Sequence, residues 1–574
     1  METLFGDFLP NTYEEWKENA IKNLKGADFN KKLKTTNFDG IDINPIYFTS
    51  NSQINFNAKR SEFPWLITEH ILIKDIELAN QSALNALNNG ANAIRFDAQF
   101  VDFKPSEIHA LLKNIQLEYA PVFFENLINI EEVSSFFYLY FEAINESQIP
   151  SNLGLDPIGN LEKGKLFSLP ELEQLILKGK FNPNFSIFNI DGIHFKDAGA
   201  NTIEEIAFTL AKGLEYLNLF GKNNITNFTC QFTLGTGSNY FMEIAKIRAF
   251  RLLFQGLLKQ FNFSNQPIII HSKSCSINKT IFDKHINMLR NTTESMAAII
   301  GGADTICILP FDQLDEASPF GTRMSRNLQN ILAHESYFDK VDDMAKGSAY
   351  IENLTEEICN KSWELLLQIE HLGGYIEAFD KGFVKEKIKQ NCNKLNTELA
   401  NRKLVLLGTN KFPDLNEQIN SSSKRTNPTD GIPTFRLADP FEQIRINTNL
   451  NYLKTGKRKS FYLLTFGNLS MRKARANFAT NFFGVGGFEI IESNGFDNLE
   501  MALNEIQTIS SDYIVLCSDN ESWNICLKPI FEMTGSERFI LAGSPKSIPT
   551  ELSNLEIKHF IFEGCNILKQ LESL

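Results

Sequence analysis

Short apolar runs alternate with amphipathic helical patterns from about residue 41 to residue 400. Strands alternating with helices over this length predict a parallel sheet, and the number of repeats favours a (β/α)₈ TIM barrel over an open sheet. No sequence rule closes the sheet, so closure is an inference. The predicted strands are 93–96, 122–124, 136–141, 186–190, 228–232, 267–271 and 306–309, and the helices include 82–87, 202–217, 239–258 and 292–300.

A second α/β pattern begins after residue 460. The predicted strands are 461–465, 488–491, 513–516 and 539–541, with helices at 473–483 and 499–506. This order predicts a doubly wound α/β domain, in which ligands lie beyond the C-terminal strand ends. The segment between the two patterns is rich in Ser, Asn, Pro and Gly, as linkers are. The predicted boundaries are an N-terminal arm (1–40), a barrel (41–400), a linker (401–460) and a C-terminal domain (461–574).

The predicted arm contains one helix. Asn11-Thr12 offers a helix cap, and Trp16, Ile21 and Leu24 form an apolar stripe. An arm of this size is too small to fold alone, so it wraps the barrel or reaches onto a partner.

The composition is that of a globular protein with more than one domain. The 574 residues are 43% hydrophobic and 22% charged, and the net charge is -13. A net negative charge does not favour binding to nucleic acid or to an anionic membrane surface. The N-terminus has no signal-peptide pattern and no apolar run approaches 18 residues, so we expect a cytoplasmic protein. Eight scattered cysteines without a C-x-x-C pair predict buried thiols rather than disulfides or zinc ligands.

Common catalytic motifs are missing from the sequence. It has no G-x-x-x-x-G-K-[ST] loop, no H-E-x-x-H helix and no G-x-S-x-G elbow. The glycine-rich run 484–487 follows a predicted helix and precedes a strand, which is typical of a helix C-terminal turn rather than a dinucleotide fingerprint.

One histidine lies where a barrel concentrates its chemistry. In the stretch 185–216 an apolar strand ends near Asp191, a turn follows, and Asn201-Thr202 starts a helix. His194 therefore comes just past the C-terminal end of a strand, on the face where barrel enzymes collect reactive groups. The alternative is a loop histidine that hydrogen-bonds to its neighbours, and the pattern alone leaves both interpretations open.

Several segments resemble the methylmalonyl-CoA mutase family. IHFKDAGA (193–200) is similar to the family's GYHMQEAGA motif, and NYFMEIAKIRA (239–249) is similar to its NFFMEVAKLRA helix. The resemblance continues through 271–273, 294–304, 323–329 and 347–355 and covers most of the chain. It implies a (β/α)₈ barrel that binds acyl-CoA, a flavodoxin-like C-terminal domain that binds adenosylcobalamin, and a role for His194 at the substrate thioester carbonyl.

The chain departs from that family at the positions that bind the cofactor and the substrate. The Asp-x-His-x-x-Gly motif, whose histidine ligates cobalt, is matched here by Leu469, Met471 and Ala474. An imidazole ligand needs a carboxylate to orient it, and neither group is present. Thr229 stands where the resemblance implies an arginine, and Lys273 where it implies a glutamine. The resemblance therefore predicts no cofactor-binding residues and no metal ligands in this chain, with His194 vestigial.

The pattern looks like the small, non-catalytic subunit of heterodimeric methylmalonyl-CoA mutases. The segments 4–8, 14–16, 24–29 and 153–159 are similar to that subunit specifically. The resemblance implies a pairing with a homologous large catalytic subunit that carries adenosylcobalamin and interconverts methylmalonyl-CoA and succinyl-CoA. The C-terminal domain would then be a degenerate cobalamin-binding module.

Two alternatives remain. The chain is an active acyl-CoA mutase or thioester isomerase that uses His194 with a differently held cofactor, or it is an unrelated barrel enzyme. The second alternative needs a metal cluster or a lysine nucleophile at a strand end, and Lys273 is the candidate that the sequence offers.

Overall fold

The computed structural model describes residues 12–48, 60, 64–101, 105–127, 151–178, 185–226, 228–315, 317–417, 431–496, 499–534, 537–548 and 557–574. These residues form two parallel sheets with helices packed on them, preceded by a short N-terminal segment. The predicted strand at 136–141 lies outside the described residues.

The first sheet is a closed barrel of eight parallel strands. Its fifth strand is interrupted at Asn189, so that its first part pairs with β4 and its second part with β6. Closure follows because β8 pairs with β1, with Thr305 opposite Leu66. The TIM barrel prediction is confirmed. The strands are β1 Leu66–Leu72, β2 Ala93–Asp97, β3 Val122–Glu125, β4 Ser151–Leu155, β5 Phe185–Phe188 with Ile190–Asp191, β6 Cys230–Thr236, β7 Ile268–Ser274 and β8 Thr305–Cys307.

Two barrel strands, β1 and β4, were not predicted. Each carries consecutive polar residues, which are Thr68, Glu69 and His70 in β1 and Ser151 and Asn152 in β4. Alternate residues of a barrel strand face the interior, and here that interior is polar. A search for apolar runs therefore misses these strands.

Most helices cover the barrel or the second sheet. Helix α7 is buried along nearly its whole length because α11 packs over it, and a capping box of Asn201 and Glu204 starts it. The helices are α1 Tyr13–Asn23, α2 Phe29–Leu33, α3 Ile76–Asn88, α4 Pro105–Leu111, α5 Leu169–Lys178, α6 Ile193–Asp197, α7 Thr202–Lys222, α8 Tyr240–Gln260, α9 Ile286–Gly301, α10 Pro319–His334, α11 Ala349–His371, α12 Tyr375–Asp380, α13 Phe383–Ala400, α14 Asp439–Thr455, α15 Leu469–Gly484, α16 Leu499–Thr508, α17 Asn520–Thr534 and α18 Ile567–Ser573.

The second sheet has the strand order 2-1-3-4-5 of flavodoxin-like folds. Its five strands are all parallel, which confirms the doubly wound prediction. They are β9 Ser460–Thr465, β10 Glu489–Glu492, β11 Tyr513–Cys517, β12 Phe539–Ala542 and β13 His559–Ile561. Helix α14 lies inside the predicted linker, which local composition did not indicate.

The barrel and the C-terminal domain meet in a hydrophobic contact. Cys275 and Ile277, in the loop after β7, belong to the same buried cluster as Phe441 of α14 and Phe482 of α15. The C-terminal domain therefore packs at the end of the barrel where the strands terminate, which we call the barrel mouth.

The N-terminal helix and the cysteines agree with the sequence predictions. Thr12 caps α1 in a capping box with Glu15. None of the eight cysteines forms a disulfide, and seven of them are buried. Among the described helices, none is long and apolar enough to span a bilayer.

Candidate functional site

His194 lies at the barrel mouth, in the short helix α6 that follows β5. Its Nε2 lies 2.9 Å from the carbonyl oxygen of Ile432, in the segment that precedes α14. Because a carbonyl oxygen only accepts, Nε2 carries the proton and donates it. The prediction that His194 follows a strand end is confirmed, and one of its two ring nitrogens is bound to the chain's own backbone.

The surroundings of His194 keep its ring neutral. Burial and, to a lesser extent, the Lys163 ammonium lower the pKa of His194 to about 4, although Asp191 and the hydrogen bond to Ile432 oppose the shift. Lys163 forms a 2.8 Å ion pair with Asp191, so these two charges largely compensate one another. At neutral pH the ring is uncharged, with its Nε2–H engaged.

Three potential metal ligands meet at the opposite side of the barrel mouth, on β1, β2 and β3. Nε2 of His70 lies 2.9 Å from Oε1 of Glu125 and 3.4 Å from Oδ2 of Asp97. One ligand atom from each residue falls within 4.8 Å of the others, a spacing that could hold a cation.

A side chain already supplies that cation. Nζ of Lys273, on β7, lies 2.6 Å from the same Oε1 of Glu125. Burial alone raises the pKa of Glu125, but Lys273 and His70 outweigh it, and the pKa of Glu125 lies well below its usual value. A metal ion at this place would have to displace the Lys273 ammonium, so the residues do not fit a metal centre.

The same contact argues against Lys273 as a nucleophile. A lysine that attacks a carbonyl group needs a depressed pKa, so that the free amine is populated. Burial lowers the pKa of Lys273, yet the Glu125 carboxylate outweighs burial and the pKa lies above its usual value. Lys273 is an ammonium ion held by a carboxylate.

Arg95 contributes a further cation to the barrel interior. Its guanidinium lies 5.5 Å from the ring centre of Phe123 and 3.7 Å from Oε2 of Glu125. None of its nitrogens has a hydrogen-bond partner among the described residues. The side chain is buried, and it occupies interior space between β2 and β3.

A neutral polar layer lies deeper in the barrel. The imidazole of His271 contacts Oγ1 of Thr305 at 2.6 Å and Oε1 of Gln231 at 2.8 Å, and Asn152 donates to the same oxygen of Gln231. Burial lowers the pKa of His271 well below its usual value. These side chains hydrogen-bond to one another in the barrel interior, and Oδ1 of Asn152 has no partner among the described residues.

The predicted site residues do not form one group. His194 and Lys273 both lie at the barrel mouth, whereas Thr229 precedes β6 and so lies at the opposite end of the barrel. Met471 lies in the second domain. The interior groups of His70, Asp97 and Glu125 were missed. In β2, Arg95 and Asp97 lie on either side of Phe96, and this polar-apolar alternation was a signal that could have found Asp97.

The start of α15 carries the three positions that the resemblance assigns to the cobalt ligand motif. Leu469, Met471 and Ala474 are exposed, and Asn468 caps the helix by accepting from the Met471 amide at 3.2 Å. The carboxylate of Asp519 lies at this helix start, but it already accepts from the Asn468 amide at 2.9 Å and from Ser522. The residues at this helix start include no imidazole and no carboxylate that is free to orient one. They therefore do not form a ligand set for cobalt.

A tryptophan fills the space behind this helix start. Trp523 of α17 is fully buried, its ring lies 4.0 Å from the Arg475 guanidinium, and it packs directly on Gly543 after β12. A domain of this strand order holds its ligand at the switch point between β9 and β11. The indole ring of Trp523 lies in the buried cluster on one face of the sheet, with Leu464, Leu516 and Leu541.

The chain matches known proteins over its whole length. The methylmalonyl-CoA mutase family model matches residues 174–432. A methylmalonyl-CoA mutase small subunit from Porphyromonas gingivalis is 31% identical over 100% of this chain and 98% of its own. One from Streptomyces virginiae is 25% identical over 100% and 97%.

Two further matches cover only part of the chain. A methylmalonyl-CoA mutase from Rhizobium meliloti is 34% identical over 41% of this chain and 34% of its own. A glucosidase structure from Croceicoccus marinus aligns with 48% of this chain and 70% of its own at 10% identity and a TM-score of 0.30, which is too low to support an inference. The full-length similarity to small subunits shows that this chain belongs to the methylmalonyl-CoA mutase family.

Proposed function

We propose that this chain is the small subunit of a heterodimeric, adenosylcobalamin-dependent methylmalonyl-CoA mutase. The complex would interconvert methylmalonyl-CoA and succinyl-CoA. This chain would support a homologous large catalytic subunit, and that large subunit would bind the cofactor and the substrate. Full-length relatives named as small subunits support the assignment.

The observation that carries the non-catalytic role is the start of α15. The residues that stand at the cobalt-ligand motif are exposed and apolar, and Trp523 fills the region behind them. In radical enzymes the cofactor performs the difficult chemistry, and the protein supplies position and electrostatics. A chain without a cobalt ligand supplies neither.

The barrel interior supports the same proposal. Lys273, His70 and Arg95 all pair with Glu125 at the barrel mouth, and the hydrogen-bonded layer around His271 lies deeper in the barrel. The cysteines, none of which forms a disulfide, suit a reducing compartment such as the cytoplasm.

The test is co-expression with the large subunit of the same organism. We expect a stable one-to-one complex, with an interface of more than about 2,000 Å² as obligate pairs have. After incubation with adenosylcobalamin and desalting, the complex should retain the cobalamin absorption and the isolated chain should not. The proposal would be contradicted if the chain stays monomeric in the presence of the large subunit, or if the isolated chain retains the cobalamin absorption.

The competing function is an active mutase that uses His194. Its support is the position of His194 at the barrel mouth, directly after β5. Against it, the Nε2–H of His194 is engaged by the carbonyl of Ile432.

A further inference from the structure

The segment from residue 431 to residue 437, which we call the strap, runs along the barrel mouth. It connects to α14 and so to the C-terminal domain. Three of its amides donate to carbonyl oxygens of barrel loops: Ile432 to Glu162 at 2.7 Å, Phe435 to Asp197 at 3.0 Å, and Leu437 to Ile277 at 2.8 Å. These acceptors follow β4, β5 and β7, so the strap spans about half of the barrel rim.

The first residues of the strap lie directly on the barrel. Ile432 is 4% exposed and belongs to the hydrophobic cluster of the barrel. A Cβ at Gly431 would lie 2.5 Å from the carbonyl oxygen of Glu162 and 2.6 Å from the amide of Gly164. The two backbones approach so closely that only glycine fits at this position.

His194 completes the attachment of Ile432. The amide of Ile432 donates to Glu162, and its carbonyl accepts from Nε2 of His194 at 2.9 Å. Both backbone groups of this buried residue are therefore held by the barrel. Without His194 the carbonyl would lose its partner next to an apolar side chain, which is unfavourable.

We infer that His194 is the anchor of an interdomain latch. Its Nε2–H holds the strap, and through α14 the C-terminal domain, against the barrel mouth. In this role the side chain is a hydrogen-bond donor and not an acid or a base. The inference goes beyond the proposed function and does not depend on it.

Hydrogen exchange of the full-length chain, measured by mass spectrometry, tests the latch. His194→Ala should raise the exchange rate of the Ile432, Phe435 and Leu437 amides about five-fold, the factor that corresponds to one net hydrogen bond. His194→Gln should stay within about two-fold of the wild-type rate, because the glutamine amide donates but has no acid-base function. The matched control is His334→Ala, since His334 is an exposed histidine at the end of α10 and should leave these amides unchanged.

A second variant loosens the strap without touching the histidine. Gly431→Val places atoms against the loop after β4, so it should raise exchange at the same three amides while His194 is intact. Unchanged exchange in His194→Ala or in Gly431→Val, or equal acceleration by alanine and glutamine at position 194, would overturn the latch.

Activity of the reconstituted two-subunit complex separates this inference from the proposed function. If His194→Gln keeps the strap protected but loses about 100-fold in turnover, the size of a lost acid-base group, the non-catalytic role is wrong and the latch stands. If the variant keeps both protection and turnover, both proposals stand.

Discussion

The charged side chains inside the barrel mouth are paired with groups of opposite charge or with hydrogen-bond donors. Oε1 of Glu125 accepts from both Lys273 at 2.6 Å and His70 at 2.9 Å, and Asp97 accepts from Asn126 at 2.9 Å. Burial and Lys273 lower the pKa of His70, yet its hydrogen bonds to Asp97 and Glu125 outweigh them and raise it. Such a network is costly to break, because one charge is left buried without a partner.

Removing the lysine tests this network. Lys273→Met should destabilise the full chain by about 3 kcal/mol at neutral pH, because Glu125 loses its nearest cation in a buried site. Chemical denaturation measures the free energy of unfolding. The control is Lys473→Met, whose 2.7 Å pair with Glu492 lies at the surface and should matter by less than about 1 kcal/mol.

The pH dependence of stability also tests the contact between Lys273 and Glu125. The folded-state pKa of Glu125 lies below its ordinary value of 4.5, so its stabilisation is complete above that pH and is lost as the pH falls towards the folded pKa. The wild type should therefore lose stability between about pH 5 and pH 3 more steeply than Lys273→Met. Parallel profiles would show that the lysine does not hold this carboxylate.

At His194 the expected effect on catalysis is small. In the reconstituted complex, His194→Ala should change turnover less than about tenfold, because a working general acid or base is worth about 10²–10⁴-fold. Steady-state kinetics with the wild-type complex as reference measures the change. A loss of about 100-fold or more would assign chemistry to this histidine.

At the scale of elements, α17 and the end of β12 shape the C-terminal domain. The indole of Trp523 lies on the backbone of Gly543, and the Arg475 guanidinium lies 4.0 Å from its ring centre. Helix α17 thereby approaches the sheet closely at the C-terminal end of β12.

This contact leaves no room for a methyl group. Gly543→Ala would drive a Cβ into the fixed ring of Trp523, so we expect a loss of about 1–3 kcal/mol from overpacking. The matched control is Gly256→Ala in the exposed face of α8, where an added Cβ meets nothing within 4 Å and should stabilise by about 1 kcal/mol. Thermal unfolding of both variants measures the difference, and equal effects would show that the tryptophan is not held against β12.

At the scale of the whole molecule, the strap and α14 join the barrel to the second domain. Glu442 of α14 accepts the amide of Ile281, in the loop after β7, at 2.6 Å and pairs with Arg436 at 2.7 Å. Because both contacts are buried, unfolding of one domain should affect the other.

Removing this junction should uncouple the two domains. Glu442→Ala removes one of the two carboxylates that pair with the buried Arg436, so we expect the free energy of unfolding to fall by about 3 kcal/mol. The single calorimetric transition should then split into two. Glu489→Ala, at an exposed position of β10, is the control and should keep the wild-type trace. An unchanged single transition in Glu442→Ala would show that coupling runs through other contacts.

Local patterns indicated most elements of both sheets and the location of His194, but not the closure of the barrel. Repeated strand and helix signals predict both sheets, since periodicity depends on neighbours along the chain. The sequence also shows Leu469, Met471 and Ala474 at the positions where the family resemblance implies a cobalt-ligand motif. The polar strands β1 and β4 were missed, because apolar-run searches assume an apolar barrel interior.

Long-range contacts set what the site residues do. Lys273 meets Glu125 across 148 positions of sequence, and His194 meets Ile432 across 238. Composition assigned residue 432 to a linker and could not show that it lies in the barrel core. Hydrogen bonds and ion pairs act over a few ångströms in space, so only the folded chain determines that the histidine binds its own strap and that the lysine neutralises a carboxylate.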